Sequence, residues 1–228
     1  MAPSASSTVV AATPIPGCLP ACVDGALIRP GDLPAGEYTT RHFFGGQFTV
    51  TVGKGWSSFE DSTGEFGLAP AGVEGVAVLF WLDAYPVIDP TSKPVPGIDR
   101  SVEGTFCWLE ANPNLDVSTR GQAMLGGLPA QSVELTRSPK AKNVDPECPP
   151  AGRPCVGLLG FPQWEFIYSQ GGLFHLRLIA ADAVWGGERH VIYAMSEAAD
   201  DGLYAQFESN ADALIASARL PIGVVSGP

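Results

Sequence analysis

An α+β fold, with a twisted, mainly antiparallel sheet packed with two helices, is what the sequence predicts, and three observations carry it. Two runs of alternating side chains meet at Gly186-Gly187, the kind of pair that supplies the positive φ angles of a tight hairpin turn. Two segments, each behind a capping Ser or Asp, place apolar residues at helical spacing. The 228 residues are 45% hydrophobic and 16% charged, with 27 Gly and 21 Pro, which is too apolar for disorder and too rich in turn formers for a helical bundle.

Taken in order, residues 1–32 are rich in Ser, Ala, Thr and Pro without periodicity and read as a flexible tail or linker that carries Cys18 and Cys22. The globular unit, read as one domain over 33–220, starts at Leu33. In 47–52, Phe48, Val50 and Val52 alternate with polar residues, a half-buried strand that ends at Gly53, after which Gly55-Trp56 turns the chain. Glu60, Asp61 and Glu65 lie among Ser, Thr and Gly and read as a solvated acidic turn. The nearly continuous apolar run 75–82 predicts a central strand, and the four prolines of 85–98 predict a loop. Asp99 or Ser101 caps a helix to Ala111, with Val102, Phe106 and Leu109 on its apolar stripe and Cys107 on its flank. Strands follow over 117–125 and 131–136, joined by Gly126-Gly127-Leu128-Pro129, and a short one over 164–168.

The hairpin over 173–195 sets its own register from the Gly186-Gly187 turn. Phe174, Leu176, Leu178 and Ala180 then share a core face with Val191, Tyr193 and Met195, and His175, Arg177, Trp185, Glu188 and His190 occupy the other. Asp201 caps a closing helix whose stripe is Tyr204, Phe207, Ala211, Leu214, Ile215 and Ala218. Residues 221–228 read as a frayed end.

Charge and hydropathy exclude some functions. Thirteen basic against twenty-four acidic residues give a net charge of −11, which repels nucleic-acid backbones. The longest apolar run is far shorter than the roughly 20 residues that span a bilayer, so no transmembrane segment is expected. Residues 1–12 lack a basic n-region, so no export signal is read there.

Five cysteines allow fifteen ways to form two disulfides. Cys148 and Cys155 flank a stiff Pro/Gly loop and are the favoured pair; Cys18 and Cys22 form the second candidate. Such bonds persist outside the cytoplasm, which points to an extracytoplasmic protein. By the chain-entropy model the small loop adds roughly 2.5 kcal/mol of stability.

The succession Leu33-Pro34-Ala35-Gly36-Glu37-Tyr38, then Gly55-Trp56, then Gly126-Gly127-Leu128-Pro129 and finally Ile215-Ala216-Ser217-Ala218-Arg219-Leu220 resembles exported bacterial domains of unknown function, many of them lipoproteins or secreted proteins. Their arrangement is similar to the PsbP-like α/β sandwich. The resemblance covers residues 33–220, implies fold and compartment, includes the loop between Cys148 and Cys155, and implies no catalytic residue.

Catalytic and metal-binding patterns are weak. The G-x-S-x-G elbow is absent, and Gly45-Gly46 and Gly171-Gly172 lack the phosphate-loop context and read as turns. Opposite Ala183, His190 stands eight residues from the position facing His175, about 27 Å at 3.4 Å per residue, so the two cannot share a metal. No cofactor or metal is expected. The candidate ligand-binding surface is Trp185 with Glu188, His190 and Arg177 on the same face and Trp164 as a second aromatic; an exposed tryptophan anchors partners, whereas a helix over this face would simply pack it. The expected function is a non-catalytic extracytoplasmic binding or accessory module for a protein or small apolar ligand. The alternatives are a hydrolase using a histidine and a carboxylate, and a purely structural domain.

Overall fold

The computed structural model describes residues 33–87, 94–141, 155–161, 164–171, 175–221 and 223–227. A nine-stranded antiparallel sheet forms its centre. Its main path runs β3 (Trp56–Asp61), β4 (Glu65–Pro70), β5 (Val76–Leu82), β13 (Glu188–Ala198), β12 (His175–Trp185), β9 (Leu128–Arg137) and β7 (Leu115–Val117), with β8 (Gly121–Leu125) paired to β9 and β14 (Val225–Ser226) paired to β12. Two smaller sheets flank it: β1 (Gly36–Thr39) with β2 (Thr49–Val52), and β11 (Trp164–Gly171), β10 (Cys155–Phe161) and β6 (Tyr85–Pro86). With helices α1 (Val102–Ala111) and α2 (Asp201–Ala216), this is an α+β fold, as expected.

Both faces of the central sheet are buried, and this corrects the reading of one core face and one open face. All seven residues of β5 are buried, because alternate side chains enter different clusters. Val78, Phe80, Ile179, Ala181, Ile192 and Ala194 pack under α2 and the β1–β2 ribbon. Leu79, Trp81, Leu178, Val191, Tyr193 and Met195 pack under α1 and β10. The supposed open face of the hairpin is itself apolar between its polar ends, so it too needs a cover.

The helices follow their stripes. In α1, Val102, Phe106 and Leu109 are buried and the Ser101 side chain accepts the N–H of Gly104 at 3.1 Å. Ser101→Ala is expected to cost about 1 kcal/mol, read as a melting-temperature fall of about 2–4 °C by circular dichroism. In α2 the cap is Asp200, one residue earlier than expected, and accepts the N–H of Leu203 at 2.8 Å. Asp201 is thereby released to pair with His175.

The strands β1, β3, β4 and β10 were missed, and the acidic turn is corrected with β3 and β4. Glu60 and Asp61 belong to β3 and Glu65 to β4. Asp61 is 7% exposed, and its carboxylate accepts the N–H groups of Arg41 at 2.6 Å, His42 at 3.2 Å and Phe43 at 3.1 Å. These three hydrogen bonds from the backbone satisfy the buried carboxylate in place of water. They also pin the short 3₁₀ turn Phe43–Gly46, in which Phe44 takes a φ of +52° and Gly45 and Gly46 take +61° and +77°. A non-glycine residue in this region is strained and persists only where its surroundings hold it.

The end read as frayed is paired: Ser226 and Val225 lie opposite Ala183 and Val184, reached through Gly223 at φ +93°. The physical cause is the vacant edge that β9 leaves beyond Ala180. Gly126 and Gly127 alone make the β8–β9 turn, since Leu125 pairs Leu128. Cys18, Cys22 and Cys148 lie outside the described residues; Cys155 begins β10, but its side chain lies outside them too. Cys107 is a free, exposed thiol.

Candidate functional site

The hairpin register is the expected one, with Trp185 opposite Glu188 and Ala183 opposite His190 across Gly186 at φ +63° and Gly187 at +87°. It therefore brings Trp185, Glu188 and His190 to one corner. Trp185 is partly buried, not an open anchor: its ring centroid lies 5.1 Å from that of Phe44 at 53° and 6.2 Å from that of His190 at 55°. The cover is the 3₁₀ turn carrying Phe44 rather than a helix. Residues 186–189 remain exposed around it.

His190 is oriented by Asp83. Its Nδ1 lies 2.8 Å from Asp83 Oδ2, and the Val191 N–H donates to Asp83 Oδ1 at 3.0 Å. The Asp83 N–H in turn donates to the Val191 carbonyl at 2.8 Å, and Asp83 holds a φ of +58°. This second strained non-glycine residue aims its carboxylate at the imidazole, which fixes the ring plane and leaves Nε2 as its other polar atom. Phe44 and Asp83 are the site residues that sequence reasoning missed. The signals were a Phe-Phe-Gly-Gly run and an Asp closing an otherwise apolar strand, and neither names its distant partner.

Two predicted members fall elsewhere. Arg177 sits eight residues from Trp185 along β12, about 27 Å away at strand rise, and pairs with Asp212 at 2.6 Å. Trp164 opens β11 in another sheet, and its side chain lies outside the described residues. His175 also has its own neighbours: it stacks on Tyr204 at 3.9 Å and 10°, its Nδ1 is 3.0 Å from Asp201, and its Nε2 is 3.6 Å from Glu134. Both histidines therefore have a carboxylate within reach, and they are well separated from each other.

Among the described residues, cavities lie at two places beside the sheet. One of about 370 Å³ lies beside the α2 N-terminus among Asp116, Thr136, Arg137, Asp200 and Asp201. The other, about 250 Å³, lies where β9 leaves β12, among Gln122, Gln131, Ala181, Asp182, Ser226 and Gly227. Burial raises the Asp182 carboxyl above its ordinary range, against the Val102 N–H that donates to it at 3.3 Å. On the α1 side of the sheet, burial pushes Glu197 up to about 8, with the charge of Glu65 adding. Glu65 itself is pushed up to about 7 by burial, partly offset by a hydrogen bond from Trp81 and reinforced by Glu60.

No family model matches the chain, and no curated protein matches it. Solved structures similar to it include LpqN, involved in cell envelope biogenesis of Mycobacterium tuberculosis, at 13% identity over 84% of this chain and 90% of that one, with a TM-score of 0.44. The cyanobacterial PsbP (CyanoP) of Synechocystis sp. PCC 6803 is similar at 7% identity over 88% and 98%, with a TM-score of 0.41. The Ran-binding protein Mog1p of Saccharomyces cerevisiae is similar at 9% identity over 80% and 84%, with a TM-score of 0.37. Among the described residues no helix is long and apolar enough to cross a membrane.

Proposed function

We propose that this protein is a non-catalytic, extracytoplasmic binding or accessory module that holds a protein or small apolar ligand at the Trp185 corner. One observation carries the reading: the Trp185 indole is locked against Phe44 and beside His190, yet stays partly open at the tip of a hairpin whose two faces are both packed. A large, rigid, amphipathic ring loses little conformational freedom on binding, and this makes tryptophan a frequent energetic centre of interfaces. Exposed Glu188 and Arg189 supply a charged rim. The extracytoplasmic assignment draws on the Cys148 and Cys155 loop.

A fragment library of small aromatics and aliphatic amphiphiles, titrated into ¹⁵N-labelled protein, tests the site. Hits are expected to shift the Trp185 indole N–H and the amides of 186–189, and Trp185→Ala should abolish those shifts. Hits that cluster elsewhere and survive Trp185→Ala would remove the corner as the binding site.

A hydrolase reading draws on the imidazole that Asp83 fixes at 2.8 Å, the arrangement of an oriented general base. Hydrolysis of an activated ester that His190→Gln abolishes without changing the fold would replace the binding reading.

A further inference from the structure

We propose that the edge of β12 over 181–185 is a strand-addition site for an extended segment of a partner protein, and that residues 223–227 of the chain occupy it as a displaceable plug. The inference rests on the reading of this hairpin end as the binding end, and it names the form of the partner.

The edge is unevenly covered. β9 pairs with β12 at six positions, from His175 opposite Thr136 to Ala180 opposite Gln131. Beyond Gln131, β9 no longer pairs with β12 and is paired only along its other edge, to β8, with Ala130 opposite Ala123 and Pro129 opposite Met124. Pro129 has no N–H to give to any neighbour. β12 continues for five more residues to Trp185, and among the described residues only the two-residue β14 takes up this edge of that stretch, with Ser226 opposite Ala183 and Val225 opposite Val184. The Gly227 N–H donates to the Asp182 carbonyl at 2.8 Å, which extends the contact by one bond. Both residues of β14 are exposed, and Val225 is 55% exposed. Such a short strand lets go of an edge far more easily than the six-position ladder beside it.

The seat selects its occupant. A Cβ on Gly227 would stand 2.8 Å from Asp182 Cβ and 3.0 Å from its carbonyl carbon, so only glycine fits opposite Asp182. Beside it, the 250 Å³ cavity offers the amides of Gln122 and Gln131 to a small polar side chain entering next to Ser226. Val224 packs partly against the same apolar cluster as Trp185, so the segment reaches the corner itself. The fitting partner is therefore an extended segment running antiparallel to β12, with two apolar residues, a small hydroxyl residue and then glycine. Main-chain bonds supply its affinity, and the glycine seat and cavity supply its specificity. While 223–227 is docked, the apparent affinity for the partner is reduced by the fraction of molecules whose edge is open.

The probe is a fluorescein-labelled peptide of residues 223–228, Gly-Val-Val-Ser-Gly-Pro, followed by anisotropy against the full chain and its variants. Val225→Pro removes a strand donor at an exposed position, and Gly227→Val cannot reseat beside Asp182. Each variant is expected to bind the probe at least about tenfold more tightly than the parent, with slowed hydrogen exchange over 182–185 on binding. A control peptide with valine in place of the second glycine should not bind. Equal binding by parent and both variants, or equal binding of the control peptide, would overturn the proposal. Concentration-dependent dimers of Val225→Pro in sedimentation would overturn it too, by showing that the freed edge pairs with a second copy of the chain. Loss of peptide binding with fragment binding at Trp185 intact removes this inference alone; loss of fragment binding with peptide binding intact removes the corner alone.

Discussion

Asp61→Ala is expected to destabilise the protein by about 3 kcal/mol, the order of magnitude for leaving hydrogen-bond donors of a charged, buried acceptor without their partner. The carboxylate accepts three successive backbone N–H groups, from Arg41, His42 and Phe43, while itself 7% exposed. Alanine leaves these three N–H groups without their acceptor, and asparagine places an amide donor where only acceptors are wanted, so Asp61→Asn should recover less than half the loss. The effect reaches the candidate site. The anchored turn carries Phe43, whose ring meets Phe44 edge-on at 5.0 Å, and Phe44 supports Trp185. Thermal melts should fall by about 6–12 °C, and Trp185 fluorescence should red-shift in the folded baseline before the transition. A melt unchanged within about 2 °C would show that water replaces the carboxylate and that Asp61 does not hold the turn.

Glu197→Gln is expected to stabilise the protein at alkaline pH and to do little under acid conditions. On β13, Glu197 shares the sheet face of Trp81, Tyr193 and Met195, and Glu65 reaches the same face from its place opposite Trp81. Burial raises the Glu197 carboxyl to about 8 and Glu65 to about 7, with the charge of Glu65 adding at Glu197 and that of Glu60 adding at Glu65. An unfolded glutamate titrates near 4.3, so between that value and about 8 the folded state holds more protons than the unfolded one. Stability is therefore fully present below about pH 4 and declines as pH rises through both folded values. Above about pH 8 the folded state must hold the Glu197 charge at a buried position, and a neutral amide avoids the cost. The expected gain for Glu197→Gln is about 2 kcal/mol at pH 8.5, with a flatter urea-midpoint profile between pH 6 and 8. Glu65→Gln should act in the same direction and less, in line with its smaller rise. Profiles for parent and variant that run parallel from pH 5 to 8.5 would show that Glu197 ionises without cost.

What was legible followed local rules. The Gly186-Gly187 turn alone placed His190 opposite Ala183, and the helical stripes named Phe106, Leu109, Phe207 and Leu214 as buried. The strand β3 was not legible, because Ser57, Ser58, Glu60 and Asp61 look solvated until the backbone that satisfies Asp61 is known. That backbone lies about twenty residues earlier, and no periodicity reports it. β14 escaped for a similar reason: a Val-Ser pair is a strand only where an edge stands open beside it. At the candidate site, Trp185 was found and its cover mistaken, since the choice between an open ring and a packed one depended on Phe44. Arg177 was grouped with Trp185 by sharing a face, but a shared face runs the full length of a strand and says nothing of proximity.

By itself, the sequence determined the two-glycine hairpin turns, the side-chain faces of the strands it revealed and the stripes of both helices, because pleat, helical pitch and the φ preference of glycine act within a few residues. Only the tertiary structure decided which faces were covered, that Asp83 meets His190, and that β12 keeps a weakly guarded edge beside Trp185. These depend on strand order and on hydrogen bonds between distant segments, which burial of the whole apolar surface selects and no local pattern encodes. The partly open tryptophan is thus a property of the sequence at position 185 and of the fold everywhere around it.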